Sequence, residues 1–232
     1  MRKLKLPNNL TSLAYKSIKQ HLLEGPVDEQ SRLTEESLAR QLGISKSPIR
    51  EALNRLEAEG LIRIEPRRGA YLRRFNTKDI DELYDLREAL EVHAVRTAKI
   101  TPELIAQLKK SVRSMRTLLR ANDRSAYIEE DVNFHAAIAA GTSNGRLVAT
   151  LENLQNQIWL FRRDTYDLSS SVAADFHQAI VETLETGRSA EAQRAMREHI
   201  QNVRRRLVAY LAETEERMAA ESKTAVPEQV HA

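Results

Sequence analysis

The chain has 232 residues, 41% apolar, 30% charged and 5% aromatic, and its seven Gly and six Pro are too few for a loop-rich all-β protein. Zero Cys excludes a disulfide framework, a thiolate metal site and a thiol switch. No run approaches the roughly 20 apolar residues of a membrane span and no signal-peptide pattern opens the chain, so a soluble, cytoplasmic, mainly α protein is expected.

The net charge of +3 is unevenly divided. Residues 1–76 hold 15 Lys+Arg against 9 Asp+Glu, whereas residues 77–232 hold 21 against 24. A basic N-terminal module that meets a polyanion is therefore expected ahead of a slightly acidic remainder. Within the module, Ser12–Glu24 carries Leu13, Ile18, Leu22 and Leu23 in a helical rhythm that Gly25-Pro26 ends. Thr34 caps a second short helix, Glu35 and Glu36 favour its first turn, and Leu38, Ala39 and Leu42 share a face up to Gly43. Ser45 opens a third helix with Pro48 in its first turn, where a missing N–H costs little. Ile49, Ala52, Leu53 and Leu56 then recur at i, i+3, i+4 and i+7, and Gly60 follows as a C-terminal cap.

Two helices joined by a short Gly-containing turn have the helix-turn-helix signature. Opposite the apolar stripe of the third helix stand Lys46, Ser47, Arg50 and Asn54, which offer cations to phosphates and a guanidinium and an amide to base edges. Leu61–Glu65 and Ala70–Arg73 read as two strands around Pro66–Gly69, a wing with Arg67 and Arg68 at its tip. The run Leu42-Gly-Ile-Ser-Lys-Ser-Pro-Ile-Arg-Glu-Ala-Leu-Asn-Arg-Leu-Glu-Ala-Glu-Gly-Leu61, followed by Pro66-Arg-Arg-Gly-Ala70, resembles the DNA-binding domain of the GntR family of bacterial transcription regulators. The resemblance implies DNA contacts from Ser45, Lys46, Ser47 and Arg50 and a minor-groove approach at Gly69. Glu36 departs from the pattern, because fatty-acid-responsive members carry a DNA-contacting Arg at that place.

Beyond a linker at Arg74–Thr77 the pattern is helical throughout. Asp79–Lys99 carries an apolar stripe of Ile80, Leu83, Leu86, Leu90 and Ala94. Thr101-Pro102 opens a helix to about Ala121, another runs from about Arg124 to Ala140, and Asn144 caps a fourth to about Tyr166. Ser169–Ser171 precede a fifth that Gly187 stops, and Ser189 caps a last one to about Met218. Six helices with short connections predict an antiparallel bundle. The domains expected are 1–76, a winged helix-turn-helix; 77–220, an effector-binding and dimerisation bundle; and 221–232, a disordered tail.

Histidine spacing singles out a possible cation site. Asp131 and His135, at i and i+4, share a helix face, and His177 and His199 lie at similar distances on either side of the Gly187 turn, nearly level on adjacent helices. One carboxylate and three imidazoles suit Zn, Ni or Mn; three unrelated buried histidines would satisfy the same spacing. The stretches Asp131-Val-Asn-Phe-His135, Gly141-Thr-Ser-Asn144, Phe176-His-Gln-Ala-Ile180 and Ala195-Met-Arg-Glu-His199 resemble the FCD ligand-binding domain, and six helices resemble its vanillate-regulator-type group. That resemblance implies one divalent metal ion per chain on Asp131, His135, His177 and His199.

His21, His93 and His231 match no pattern. Arg87 is a candidate clamp for an effector carboxylate or else an interhelix salt bridge, Arg162 and Arg163 are weaker candidates for the clamp, and Arg204–Arg206 reads as a solvated run. The function expected is a homodimeric repressor bound to double-stranded DNA at a palindromic operator and reset by a small organic acid. A metal sensor and a metalloenzyme are the alternatives; no residue beyond the four ligands is evidently placed as a general base, and an enzyme needs no winged helix.

Overall fold

The computed structural model describes residues 8–25, 31–168 and 170–224. Pro26, Ser169, His231 and the expected tail from 225 onward lie outside the described residues. Two compact units are found, one running up to Arg74 and including Asn153–Arg162, the other formed by Phe75–Glu152 and the chain from Arg163.

The first unit contains α1 (Asn8–Glu24), α2 (Glu35–Leu42), α3 (Lys46–Ala58), β1 (Ile62–Glu65) and β2 (Gly69–Leu72). The Thr34 side chain accepts from Ser37 N–H at 3.1 Å, and Gly43 closes α2 in the left-handed region at φ +66°. Thr34→Ala is expected to cost about 1 kcal/mol through the orphaned N–H, measured as a lower urea midpoint. Ser45 stands at the N-cap of α3 but its side chain makes no capping bond, contrary to expectation; its hydroxyl is left on the exposed face. Ile49, Ala52, Leu53 and Leu56 are all buried, and α1 packs on α3.

The inner face of α1 is set by Ala14, Tyr15, Ile18 and Leu22, whereas Leu13 is 53% exposed. Tyr15 takes the inward place because its polar end is satisfied there: its hydroxyl donates to Glu59 at 2.6 Å, and the Arg55 guanidinium lies 3.7 Å from its ring centre. The strands pair antiparallel with Ile62 opposite Leu72 and Glu65 opposite Gly69, and Leu33 adds a bridge to Ala70 that periodicity did not reveal. Gly69 has φ +112°, and a Cβ there would meet the Leu33 carbonyl at 2.9 Å.

The remaining helices among the described residues are α4 (Thr77–Thr97), α5 (Pro102–Ala121), α6 (Arg124–Ala140), α7 (Gly145–Thr165), α8 (Ser170–Glu185) and α9 (Ser189–Thr224), with a 3-10 turn at Tyr166–Leu168. α4 starts two residues before the expected Asp79 because Asn76 and Asp79 form a reciprocal capping box. Thr101 and Asn144 cap α5 and α7 as expected, and Gly187 turns α8 into α9 at φ +69°. α9 itself begins at Ser189 and continues through Thr224, beyond the boundary drawn at 220. Although α7 was expected to lie wholly in the bundle, its middle, residues 153–162, groups with the first unit. There Gln157 lies so close to Gly60 that a Cβ on that glycine would meet it at 3.1 Å.

In the second unit α4 packs mainly on α9, α8 on α9, α5 on both α6 and α8, and α4 on α6. The buried stripe of α4 is Ile80, Tyr84, Arg87, Glu91, Ala94 and Val95. Leu86, expected inside, is 45% exposed, and Leu83 and Leu90 are half-buried. The helix is rotated because two opposite charges satisfy each other in the interior. Arg204, expected in a solvated run, joins α9 to α4 through Asp81 at 2.7 Å.

Candidate functional site

Ser45, Lys46, Ser47, Arg50 and Asn54 are exposed on one side of α3, away from its buried stripe. The exposed Arg67 and Arg68 occupy the wing turn beside Gly69; Arg67 has φ 64°, and Arg68 lies 3.6 Å from Glu65. Two α3 cations are already paired with acids on the first turn of α2. Arg50 donates from Nε and Nη2 to the two Glu35 carboxylate oxygens, both at 2.7 Å, and Lys46 Nζ lies 3.6 Å from Glu36. The hydrogen bond from Arg50 holds the Glu35 carboxyl below its usual range. Glu36 therefore sits where it moderates the charge of the exposed face of α3.

In the second unit the structure brings His135 on α6, His177 on α8 and His199 on α9 into one buried group, with one nitrogen from each ring lying within 4.8 Å of the others. The Nε2 atoms of His135 and His177 are 3.2 Å apart. Ring centres of His177 and His199 lie 4.5 Å apart, as their placement about the Gly187 turn requires, and Phe134 packs 4.5 Å from His177. Asp131 Oδ1 is 3.5 Å from His177 Nε2 but does not join the nitrogens' mutual 4.8 Å set. It stands at the edge of the cluster.

Three imidazoles with nitrogens converging in an interior that excludes water, flanked by a buried carboxylate, form a donor set that fits a borderline divalent cation. His135, His177 and His199 would hold such an ion, with Asp131 in reach as an oxygen donor.

Glu91 is a buried carboxylate at this site that sequence reasoning missed. Arg87 donates from Nε to Glu91 Oε1 at 2.6 Å, and Glu91 Oε2 lies against His135 Nδ1. Arg87 and Glu91 are each 2% exposed. Burial by itself would push the Glu91 carboxyl up, yet the neighbouring Arg87 charge and then His135 outweigh it and hold the carboxyl at about 2. Burial likewise works against the Arg87 charge and is overcome chiefly by Glu91, so the guanidinium is held more firmly protonated than usual. The i, i+4 spacing of an Arg and a Glu was the available signal.

The effector candidates divide. Arg87 is joined to His135 through Glu91, and Arg162 is buried in the α7 segment that groups with the first unit. Arg163 lies 3.3 Å from Asp164. His21 is exposed, as is His93, which lies 3.0 Å from Arg96.

Comparison with known proteins separates the same two regions. Residues 10–72 match the model of bacterial regulatory proteins, gntR family, and residues 82–202 match the FCD domain. A similar protein is an uncharacterized HTH-type transcriptional regulator in the TAR-I ttuE-ttuC' intergenic region of Agrobacterium vitis, 31% identical over 134 residues, which are 56% of this chain and 78% of that one. The gluconate operon transcriptional repressor of Bacillus licheniformis is 30% identical over 60% of this chain and 57% of its own. The HTH-type transcriptional repressor RspR of Escherichia coli is 24% identical over 82% and 85%. Among solved structures, E. coli McbR/YncC superposes with a TM-score of 0.75 at 22% identity, over 89% of this chain and 98% of that one, a likeness of fold.

Proposed function

The chain belongs to the GntR family of bacterial regulatory proteins, with an FCD domain after its winged helix, and from that premise we propose a homodimeric repressor whose hold on DNA is reset by a small organic acid at a metal centre. The family is one of DNA-binding transcription regulators and not of enzymes, which removes the metalloenzyme alternative. The observation that carries the finer reading is the buried convergence of His135, His177 and His199 in a chain whose α3 exposes Lys46, Ser47, Arg50 and Asn54.

On DNA, each copy places α3 in the major groove of one half-site, so that two copies require a palindromic operator. Lys46, Arg67 and Arg68 meet phosphates, Ser47, Arg50 and Asn54 read base edges, and Ser45 and Gly69 allow close approach of the backbone. The outward Leu83, Leu86 and Leu90 stripe of α4 supports self-association, since a second copy would cover it. No helix among the described residues is long and apolar enough to cross a membrane, in keeping with a protein that works on DNA in the cytoplasm.

In the bundle, Asp131, His135, His177 and His199 are the proposed ligands of one Zn, Ni or Mn ion, which when bound supplies Lewis-acid positions for carboxylate and hydroxyl oxygens. Arg87 is the proposed counter-charge for an effector carboxylate, fixed beside the centre by Glu91. An organic acid that favours one arrangement of the dimer over another shifts the DNA-binding equilibrium by that difference in affinity and no more.

The test measures binding to DNA flanking the chain's own gene by fluorescence anisotropy. Metal and a panel of small hydroxy and carboxylic acids are titrated separately. Affinity is expected to fall steeply as salt rises and to change when an acid is added to the metal-loaded protein. A response to metal alone would replace this reading by a metal sensor; no response to any acid, in DNA affinity or melting temperature, would remove the organic effector.

A further inference from the structure

We propose that Glu91 is a positioning residue of the histidine centre: its carboxylate accepts the Nδ1–H of His135 and thereby commits that ring to present an Nε2 lone pair to His177 and His199. The purpose of this arrangement rests on the metal reading above, but its geometry does not. A neutral imidazole carries one proton, and the partner of one ring nitrogen decides whether the other is a donor or a lone pair. For His135 the two nitrogens face different surroundings. Nε2 faces the cluster, 3.2 Å from His177 Nε2, and Nδ1 faces Glu91.

Glu91 can play this part because a guanidinium, which can only donate, is fixed against it. Its other oxygen accepts from Arg87 Nε at 2.6 Å, and all three side chains are withdrawn from water. A carboxylate has no proton to donate, so the ring must supply one at Nδ1. The Arg87 and Glu91 charges cancel, so α4 delivers a fixed anion to the back of a ligand on α6 without adding net charge to the interior. α4 contributes none of the three convergent imidazoles. It governs one of them from behind, as carboxylates commonly orient metal-bound histidines.

The test compares full-length wild type with Glu91→Gln, whose side-chain amide can either donate to or accept from Nδ1. Tautomers are read from two-bond ¹H–¹⁵N spectra of the metal-free proteins with neutral imidazoles, the His135 signal being the one absent from His135→Gln. Zinc affinity is measured by competition with a chromophoric chelator. Wild type is expected to hold His135 as the Nδ1–H tautomer, and Glu91→Gln to mix the two tautomers and bind zinc about tenfold to hundredfold more weakly. Should Glu91→Gln leave the Arg87 charge stranded and fail to fold, Arg87→Met/Glu91→Gln removes both charges and is expected to show the same two changes. A folded variant that keeps both the Nδ1–H tautomer and wild-type zinc affinity overturns the proposal. Wild-type protein that takes up no zinc would defeat the metal reading instead, and the tautomer comparison in metal-free protein would still decide the role of Glu91.

Discussion

Arg87→Ala is expected to destabilise the helical unit by about 3–5 kcal/mol, the cost of leaving one member of a buried ion pair without its partner. The loss is far greater than that of a surface pair at the same i, i+4 spacing, such as Lys78–Glu82, whose removal is expected to be within about 0.5 kcal/mol. The contrast arises from burial. Arg87 and Glu91 are each 2% exposed, so water cannot replace the missing guanidinium at Glu91. Urea unfolding followed by far-ultraviolet circular dichroism measures the change. Arg87→Met/Glu91→Leu is the matched control: replacing both charges by apolar groups of similar volume is expected to recover most of the loss, because a buried pair adds little net stability over well-packed hydrophobes. A single variant as stable as wild type would show that the pair is not buried in solution.

The same pair marks where the sequence stopped being legible. α3 is readable because every residue of its apolar period is buried, and α2 because its caps are residues with a stereochemical task, Gly43 in the left-handed region and Thr34 accepting an N–H. His177 and His199 are readable for a related reason: a helical hairpin is stiff, so similar distances from the Gly187 turn translate into nearness in space. On α4 the apolar period pointed to Leu83, Leu86 and Leu90, yet the interior received Tyr84, Arg87 and Glu91. Hydrophobic patterning assigns charges to water and has no means of recognising two that neutralise each other. Tyr15 displaced Leu13 from the core of the first unit by the same logic, through its bond to Glu59.

The pairing of Arg50 with Glu35 was equally hidden, and it changes how the exposed face of α3 is understood. The Nε and Nη2 edge of the guanidinium is taken by Glu35, so under the proposed DNA contact only the edge containing Nη1 would meet a base. The i, i+3 and i, i+4 rules relate residues of one helix only, whereas this pair spans the turn between α2 and α3. It becomes visible only once the helix-turn-helix is built.

Zinc at about a thousandfold above its dissociation constant is expected to stabilise the wild-type protein by about 4 kcal/mol, because an ion that binds the folded chain and not the unfolded one adds free energy by mass action. His177→Ala is expected to lose at least about 2.7 kcal/mol of that increment, the equivalent of a hundredfold weaker affinity. His177 is the demanding choice: its Nε2 lies 3.2 Å from His135 Nε2 and 3.5 Å from Asp131 Oδ1, so it stands between the other donors. Removing a fully buried ring also leaves a cavity and lowers stability without metal. The comparison is therefore between the zinc-induced increments of each protein, taken from paired melts with zinc and with a chelator, and not between their absolute midpoints. His93→Ala, which removes an exposed imidazole from α4, controls for weak surface binding and is expected to keep the full increment. If His177→Ala gained as much from zinc as wild type does, the metal would be held elsewhere and the three buried rings would be a packing cluster. An increment lost with His177 and kept with His93 would place the ion among α6, α8 and α9.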